Sequence, residues 1–166
     1  MFKYDSYLTQ QKLKILLKDI FKKDFIDSEV NVPKTRMRWD FLIKNHNYLT
    51  VIEFDGDQHY RDSLIIMRDK LKDEIAKNLN YKTIRIPYFI QLDNQMFNYY
   101  FNKDIDLHRN FNHGFIKTKI FPASFCKLGI ERYNSEIEKL PDNVKEEIKI
   151  SLHIQKLKYG SEYVHI

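Results

Sequence analysis

The amino-acid sequence predicts an α/β fold in which helices flank a small mixed β-sheet. Residues 37–55 place apolar and polar side chains alternately on either side of a short Asn-His-Asn turn, which is typical of a β-hairpin. A segment with helical periodicity over 64–79 is followed at 82–86 by a segment rich in β-branched residues, which is typical of a strand. A strand, a crossover helix and a second strand normally form a parallel, right-handed unit.

The elements around the hairpin follow from periodicity and capping residues. Leucine and isoleucine recur at helical spacing between Thr9 and Lys23, with Thr9 as a suitable N-cap. Residues 24–34 are expected to be a connector with a short extended piece at 29–32, and residues 60–63 a loop. The helix over 64–79 should bury an apolar stripe, which consists of Leu64, Met67 or Arg68, Leu71, Ile75 and Leu79.

The C-terminal half is predicted to be mainly helical. One helix is expected at 90–101, one or two helical turns at 135–140, and a last helix from Pro141 to about Lys158. A short strand is expected at 114–121, and the apolar segment 121–130 should seat this half on the core. We therefore expect residues 1–90 to form an α/β core and residues 91–166 an extension, in the same domain or as a small appendage.

Composition narrows the classes of protein to which the chain can belong. Its 166 residues carry a net charge of +5, which modestly favours a polyanionic partner such as nucleic acid. Cys126 is the only cysteine, so an intramolecular disulfide and a cysteine-based zinc site are both excluded. The sequence shows neither a signal peptide nor an apolar run long enough to span a bilayer. We expect an intracellular protein, cytoplasmic or associated with the nucleoid or nucleus, with no membrane partner.

Acidic residues cluster on the hairpin. Glu53 and Asp55 are two residues apart on one predicted strand, so both side chains should point to the same face, and Gly56 should permit a turn directly after them. Asp40 lies among apolar residues of the partner strand. Neighbouring carboxylates in such a setting repel one another, and a divalent cation relieves that repulsion. We therefore predict a metal site formed by Asp40, Glu53 and Asp55; a solvated acidic face is the alternative.

Catalytic side chains are predicted next to this acidic cluster. His59 can accept a proton from water near neutral pH, and Asp69 at the start of the following helix could orient it. A carboxylate in a first helical turn also interacts favourably with the helix dipole, so a purely structural role for Asp69 stays open. Lys72 could stabilise negative charge on a phosphate; Lys70 is more simply explained as a solvated lysine.

Four ordered motifs resemble the PD-(D/E)XK nuclease superfamily. They are Arg-x-Arg-x-Asp-Phe, Ile-Glu-Phe-Asp-Gly-x-Gln-His-Tyr, Arg-Asp-Lys-Leu-Lys and Ile-Arg-Ile-Pro-Tyr, and they span residues 36–88. Within the superfamily the sequence is most similar to the very-short-patch-repair endonuclease branch, including related homing endonucleases and phage- and virus-encoded relatives. The resemblance implies a restriction-endonuclease-like core. It does not extend over the C-terminal half.

The resemblance also implies roles for individual residues. Asp40 and Glu53 match metal-binding acids, and the Phe54 carbonyl matches a backbone ligand of the metal. His59 and Asp69 match the histidine and aspartate that together serve as the general base in the repair-like branch. The sequence departs from the superfamily at two places. Asp55 stands where a lysine is expected, a role that Lys72 could take over. The first helix carries Gln10 and Gln11 instead of a glutamate, whose role is then lost or filled by Glu29.

The expected function is Mg²⁺-dependent hydrolysis of DNA phosphodiester bonds, by nicking or by double-strand cleavage, with Mn²⁺ as an acceptable substitute. Arg36, Arg38 and Gln58 are expected to bind the DNA. Several alternatives stay open: a junction resolvase or RNA nuclease, a non-catalytic DNA-binding module on a degenerate nuclease fold, and a structural protein with a calcium site. A homodimer that uses segment 121–130 as its contact is also left open.

Overall fold

A computed structural model describes residues 2–4, 7–115, 123–161 and 164 of the chain. It confirms the predicted fold class: a four-stranded mixed sheet with flanking helices and a helical C-terminal region. The strands are β1 (Phe2–Tyr4), β2 (Phe25–Asn31), β3 (Arg38–Asn45), β4 (Tyr48–Asp55), β5 (Lys82–Pro87) and β6 (Leu107–Arg109). The helices are α1 (Gln10–Phe21), α2 (Gln58–Arg61), α3 (Ser63–Asn78), α4 (Asn94–Phe101), α5 (Lys127–Glu138) and α6 (Asp142–Tyr159).

The central sheet has the strand order β2-β3-β4-β5, and β1 and β6 form a separate parallel pair. Strands β2, β3 and β4 are antiparallel neighbours, whereas β5 lies parallel to β4 after the α3 crossover, as predicted. The β3–β4 ladder runs from the Asn45–Tyr48 pair to the Phe41–Ile52 pair and ends there. The two strands continue beyond that point without this pairing, and the acidic residues lie in that part.

Two hydrophobic clusters lie in the described part of the chain. The larger one joins residues of α1, the sheet and the C-terminal helices, among them Leu13, Ile52, Phe97 and Ile148. The smaller one lies between the sheet and α3 and includes Trp39, Val51 and Ala76. Residues 1–90 and 91–166 therefore share a core. None of the helices in the described ranges is long and apolar enough to cross a membrane.

Residues 123–130, the described part of segment 121–130, seat the C-terminal half on the core, as expected. Ala123 is fully buried and Phe125 stacks on Tyr60 with a centroid distance of 4.9 Å. Residues 121 and 122 lie outside the described residues, as does most of the strand predicted at 114–121. Because Ala123 and Phe125 are packed inside their own chain, they are not available for the homodimer contact that was considered for this segment.

Several boundaries differ from the prediction for local reasons. The Thr9 side chain caps α1 as expected, accepting a hydrogen bond from the Lys12 amide at 3.2 Å. Helix α4 begins at residue 94 instead of 90 because the Asp93 side chain caps it, accepting from the Met96 amide at 2.9 Å. Most of the extended piece predicted at 29–32 belongs to the longer strand β2, which ends at residue 31. The loop predicted at 60–63 is instead the end of α2 and the first residue of α3, separated by residue 62, and the turns predicted at 135–140 begin within α5, which ends at residue 138.

The prediction for the buried face of α3 was wrong. Four residues of the expected apolar stripe are exposed: Leu64, Met67, Leu71 and Leu79. The buried positions are instead Ile66, Asp69 and Ala76. The side of α3 that faces the sheet carries polar side chains because it meets the acidic residues of β4, which need hydrogen-bonding and charged partners inside the protein.

Helix α5 makes a close backbone contact with α2. A Cβ atom placed on Gly129 would lie 1.7 Å from the carbonyl oxygen of Tyr60, so only glycine allows this approach. The Cys126 amide donates to the same carbonyl at 3.0 Å. The chain turns at Gly56 as predicted, where the His59 amide donates to the Gly56 carbonyl at 3.1 Å. The turn does not need glycine, however, since the φ of Gly56 is not positive and a Cβ there would meet nothing within 4 Å.

These two glycines give a matched test of the packing. Gly129→Ala should destabilise the protein by about 1–3 kcal/mol, because α5 must move away from α2 to admit the methyl group. Gly56→Ala should change the free energy of unfolding by no more than ~0.5 kcal/mol. Urea unfolding followed by circular dichroism measures both. Equal losses of unfolding free energy in the two variants would contradict the close contact between α5 and α2.

Candidate functional site

The site begins where the β3–β4 ladder ends. The Asp40 amide donates to Glu53 Oε2 at 3.1 Å, and the Phe54 amide donates to Asp40 Oδ2 at 2.7 Å. The two side chains thus accept hydrogen bonds from the backbone of the opposite strand, at positions where carbonyl oxygens would otherwise serve. The strands can separate here because the carboxylates satisfy the freed amides. The sequence correctly predicted that these two acids meet across the hairpin.

An amide links Asp40 to a further acid. Gln10 Nε2 at the start of α1 lies 3.0 Å from Asp40 Oδ1 and 3.2 Å from Glu29 Oε1, so it can bridge the two groups. Glu29 has a φ of 56°, which is uncommon for a residue with a side chain and is often found at functional positions. The first helix therefore contributes an amide, not a carboxylate, to this end of the sheet, and Glu29 is the nearby acid.

Lys72 reaches this pair from α3. Its ammonium group contacts Glu53 Oε1, and Glu53 is almost fully buried. Burial raises the pKa of Glu53 to about 7, with Lys72 lowering it and Asp40 raising it further. Burial likewise raises the pKa of Asp40, partly offset by the hydrogen bond from Phe54 and by the charge of Lys72. Lys72 is thus the closest cation to these two carboxyls, and for both of them the effect of burial on the pKa outweighs it.

Asp55 is held in a different way. It lies on the same side of β4 as Glu53, as predicted, and both contact the Arg85 guanidinium, at 2.8 Å and 3.9 Å. Asp55 Oδ1 accepts from Arg85, and Asp55 Oδ2 accepts from Arg132. Burial acts to lower the pKa of both arginines, but the Asp55 charge and neighbouring acids raise it above its usual value. Asp55 is therefore fully neutralised by protein cations.

This arrangement changes the predicted metal site. Among the described residues, the acidic and imidazole groups with ligand atoms within 4.8 Å of one another are Asp55, His59 and Asp69, not the expected set of Asp40, Glu53 and Asp55. The two arginines already occupy both oxygens of Asp55, so a cation there would have to displace a guanidinium. Asp40 and Glu53 are the better oxygen ligands, because Asp40 accepts from uncharged amides and a cation at these two carboxylates would displace no hydrogen-bonded guanidinium.

His59 and Asp69 form the contact that the sequence predicted. His59 Nδ1 lies 2.7 Å from Asp69 Oδ2 and 3.3 Å from Asp55 Oδ1. Burial lowers the pKa of His59, but the hydrogen bond to Asp69 and the charges of Asp55 and Asp69 outweigh it and raise the pKa overall. For Asp69, burial raises the pKa, while His59 and the two arginines lower it more strongly. Asp69 therefore stays ionised and orients the imidazole.

Arg132 is a site residue that sequence reasoning missed. Projecting from α5, it donates to Asp69 Oδ2 at 2.8 Å and to the His59 carbonyl at 3.2 Å, besides its contact with Asp55. Its guanidinium lies 4.8 Å from the centre of the Tyr60 ring. Glu136, one turn further on α5, accepts from Arg132 at 2.8 Å. The C-terminal half therefore supplies part of the site.

An open cleft of about 550 Å³ gives access to these groups. His59 and Asp69 line it together with Lys72 from α3. The three residues expected to bind DNA, namely Arg36, Arg38 and Gln58, also line this cleft and are exposed. The cleft thus brings a histidine–aspartate pair and a lysine bonded to a buried glutamate to one surface. Such a set can bind an anion and accept a proton from a water molecule.

No protein-family model, curated protein or solved structure matches this chain.

Removal of Arg132 tests its role in holding the site together. Arg132→Ala leaves buried Asp55 and Asp69 with one cation fewer, and breaking such a buried pair costs about 3–5 kcal/mol of unfolding free energy. Arg61→Ala is the control, because Arg61 is exposed and its pair with Asp57 at 3.4 Å should contribute no more than ~1 kcal/mol. Urea unfolding compares the two; similar losses would contradict a central role for Arg132.

Proposed function

We propose that this protein is a metal-dependent DNA endonuclease related to the PD-(D/E)XK superfamily. The observation that carries the proposal is the meeting, in one cleft, of the His59–Asp69 pair and of Lys72 bonded to Glu53. Each component alone has a structural explanation. Their arrangement beside a second strand acid, Asp40, supports phosphodiester hydrolysis because that reaction needs a base, a cation ligand set and a positive group for the phosphate.

Asp40 and Glu53 are the residues that would hold Mg²⁺, or Mn²⁺ in its place. Both offer carboxylate oxygens, the ligand type that Mg²⁺ prefers, and Glu53 Oε2 and Asp40 Oδ2 are brought to the same end of the hairpin by their bonds to the opposite strand. Burial raises the pKa of both carboxyls, and a bound cation would favour their ionised forms. The donor set therefore fits the ion. When bound, such an ion polarises the phosphate and makes a bound water more acidic.

His59 would act as the general base. Asp69 accepts from the Nδ1 side of the ring, which leaves Nε2 as the atom that takes a proton from water. The oxygen of that water bonds to phosphorus, the bond from phosphorus to the leaving oxygen breaks, and solvent protonates the leaving oxygen. Because the pKa of His59 is raised, the imidazole becomes neutral only above its usual titration range. It is therefore a stronger base, and it acts as one only at higher pH.

Lys72 would stabilise the phosphate. The strand position where the superfamily carries a lysine is Asp55 here, and the ammonium group instead reaches Glu53 from α3. From the cleft wall its charge can oppose the negative charge that develops on phosphate oxygens.

DNA binding without cleavage is the second candidate function. Two observations favour it. Asp55 is ion-paired with Arg85 and Arg132, and Gln10 provides an amide on the first helix where the superfamily carries a glutamate. A plasmid-cleavage assay distinguishes the two functions.

Cleavage of supercoiled plasmid in Mg²⁺ or Mn²⁺ tests the proposal. Glu53→Gln and His59→Ala should each lower the rate by about 10²–10⁴, since one loses a ligand and the other the base. Glu74→Gln is the matched control, because Glu74 is exposed on the same helix as Lys72 and should leave the rate unchanged. If the wild type binds DNA but shows no more cleavage than Glu53→Gln, the protein is a binding module.

Thermal unfolding with and without Mg²⁺ tests the ion site through a readout other than activity. The pKa of Glu53 is raised from its usual 4.5 to about 7, so in the metal-free protein its ionisation destabilises the fold as pH rises through this window. A cation offsets that cost only when the carboxyl is ionised. Mg²⁺ should therefore raise the melting temperature more at about pH 8 than at about pH 5.5. In Glu53→Gln the gain should vanish at both pH values; a gain that persists there places the ion elsewhere.

A further inference from the structure

The arginines of this chain divide into two groups. All seven lie in the described part of the sequence, and four of them are paired with carboxylates: Arg61, Arg85, Arg109 and Arg132. The side chains of Arg36, Arg38 and Arg68 have no hydrogen-bond or ion-pair partner among the described residues, and all three residues are exposed. The chain has 23 acidic residues, so the absence of a partner for these three does not come from a lack of acids.

The three unpaired arginines line the same cleft. Arg36 and Arg38 stand on the side formed by the start of the hairpin, and Arg68 stands on α3 one turn before Lys72. Four cationic side chains thus surround the cleft. The one carboxylate in its lining is Asp69, which is already bound by His59 and Arg132. Because Lys72 is paired with Glu53, the uncompensated positive charge of the cleft is that of Arg36, Arg38 and Arg68, contributed by the start of the hairpin and by α3.

This distribution is that of a phosphate-binding site. A guanidinium group without a carboxylate partner is free to form paired hydrogen bonds with phosphate oxygens, and it remains charged at every physiological pH. Positive groups contributed by two separate elements, the start of the hairpin and α3, suit a chain of phosphates better than a single anion. His59 and Lys72 line the same cleft, so a backbone bound there would run past the groups that are proposed to cleave it.

We infer that Arg68, which the sequence placed as a possible member of the buried stripe of α3, is a backbone-phosphate contact for duplex DNA, and that it forms a clamp with Arg36 and Arg38 across the cleft. This inference rests on the proposed function and specifies how its substrate is held. Phosphate contacts carry no base information, so the clamp positions the duplex without selecting a sequence.

Binding of a labelled duplex at several salt concentrations, in EDTA so that no cleavage occurs, tests the clamp. Removing one protein–phosphate interaction should reduce the slope of log K against log salt by about 0.9 for duplex DNA, or about 0.7 for a single strand. Arg68→Ala should show this reduction and a several-fold weaker affinity at low salt, equally for duplexes of unrelated sequence. Arg68→Lys should restore most of the slope because it keeps the charge.

The control is Lys149→Ala, which removes one exposed positive charge on α6, outside the cleft. If Arg68→Ala and Lys149→Ala have the same slope, Arg68 makes no phosphate contact and the inference fails. A loss in Arg68→Ala that depends on the duplex sequence would also overturn it, since it would indicate a base contact. A slope change of the single-strand size, seen only with unpaired DNA, would overturn the choice of duplex.

The clamp and the proposed activity can fail separately. If Arg68→Ala weakens binding as expected while Glu53→Gln leaves plasmid cleavage unchanged, the phosphate clamp is supported and the hydrolytic mechanism is contradicted. If Glu53→Gln abolishes cleavage while Arg68→Ala binds like Lys149→Ala, the endonuclease activity is supported and the DNA is bound by residues other than Arg68.

Discussion

The exchange of hydrogen bonds between Asp40 and Glu53 is the interaction on which the site depends. Where β3 and β4 separate, each carboxylate accepts a hydrogen bond from a backbone amide of the opposite strand that no longer has a carbonyl partner there. An unpaired buried amide is costly, so the opening at the end of the hairpin and the acids that fill it require each other. Burial at this point raises the pKa of both carboxyls, and the charge of Asp40 raises the pKa of Glu53 further.

The remaining architecture supplies positive charge to this acidic end of the sheet. Lys72 comes from the crossover helix, Arg85 from β5 and Arg132 from α5, three elements distant in the sequence. Charged side chains can be buried here because they are paired and hydrogen-bonded with one another. The close approach of α5 at Gly129 brings Arg132 within reach of Asp55 and Asp69. The C-terminal half is therefore joined to the site by charge as well as by packing.

Local patterns in the sequence were sufficient for the hairpin, the parallel crossover and the meeting of His59 with Asp69. These features depend on short spacings, such as the two-position step from Glu53 to Asp55. The inward face of α3 could not be predicted by hydrophobic periodicity, since the polar partners of the acids occupy it and Leu64 and Met67 turn outward. Arg132 also escaped prediction, because its partners lie 63 and 77 residues away and no local pattern links them.

The carboxylate at position 55 separates the two halves of the site. A lysine there would have placed its charge next to Glu53, whereas Asp55 instead attracts Arg85 and Arg132 and leaves that task to Lys72 on the facing helix. Asp55 and its two arginines form, with Asp69, a hydrogen-bonded network of charges that also contacts His59. Lys72 is the closest cation to Asp40 and Glu53, whereas the side chains of three arginines that line the cleft have no acidic partner among the described residues. A cation beside the two acids and a polyanion beside the three arginines would each meet opposite charge, which is the electrostatic basis of the proposed metal-assisted reaction on a phosphate backbone.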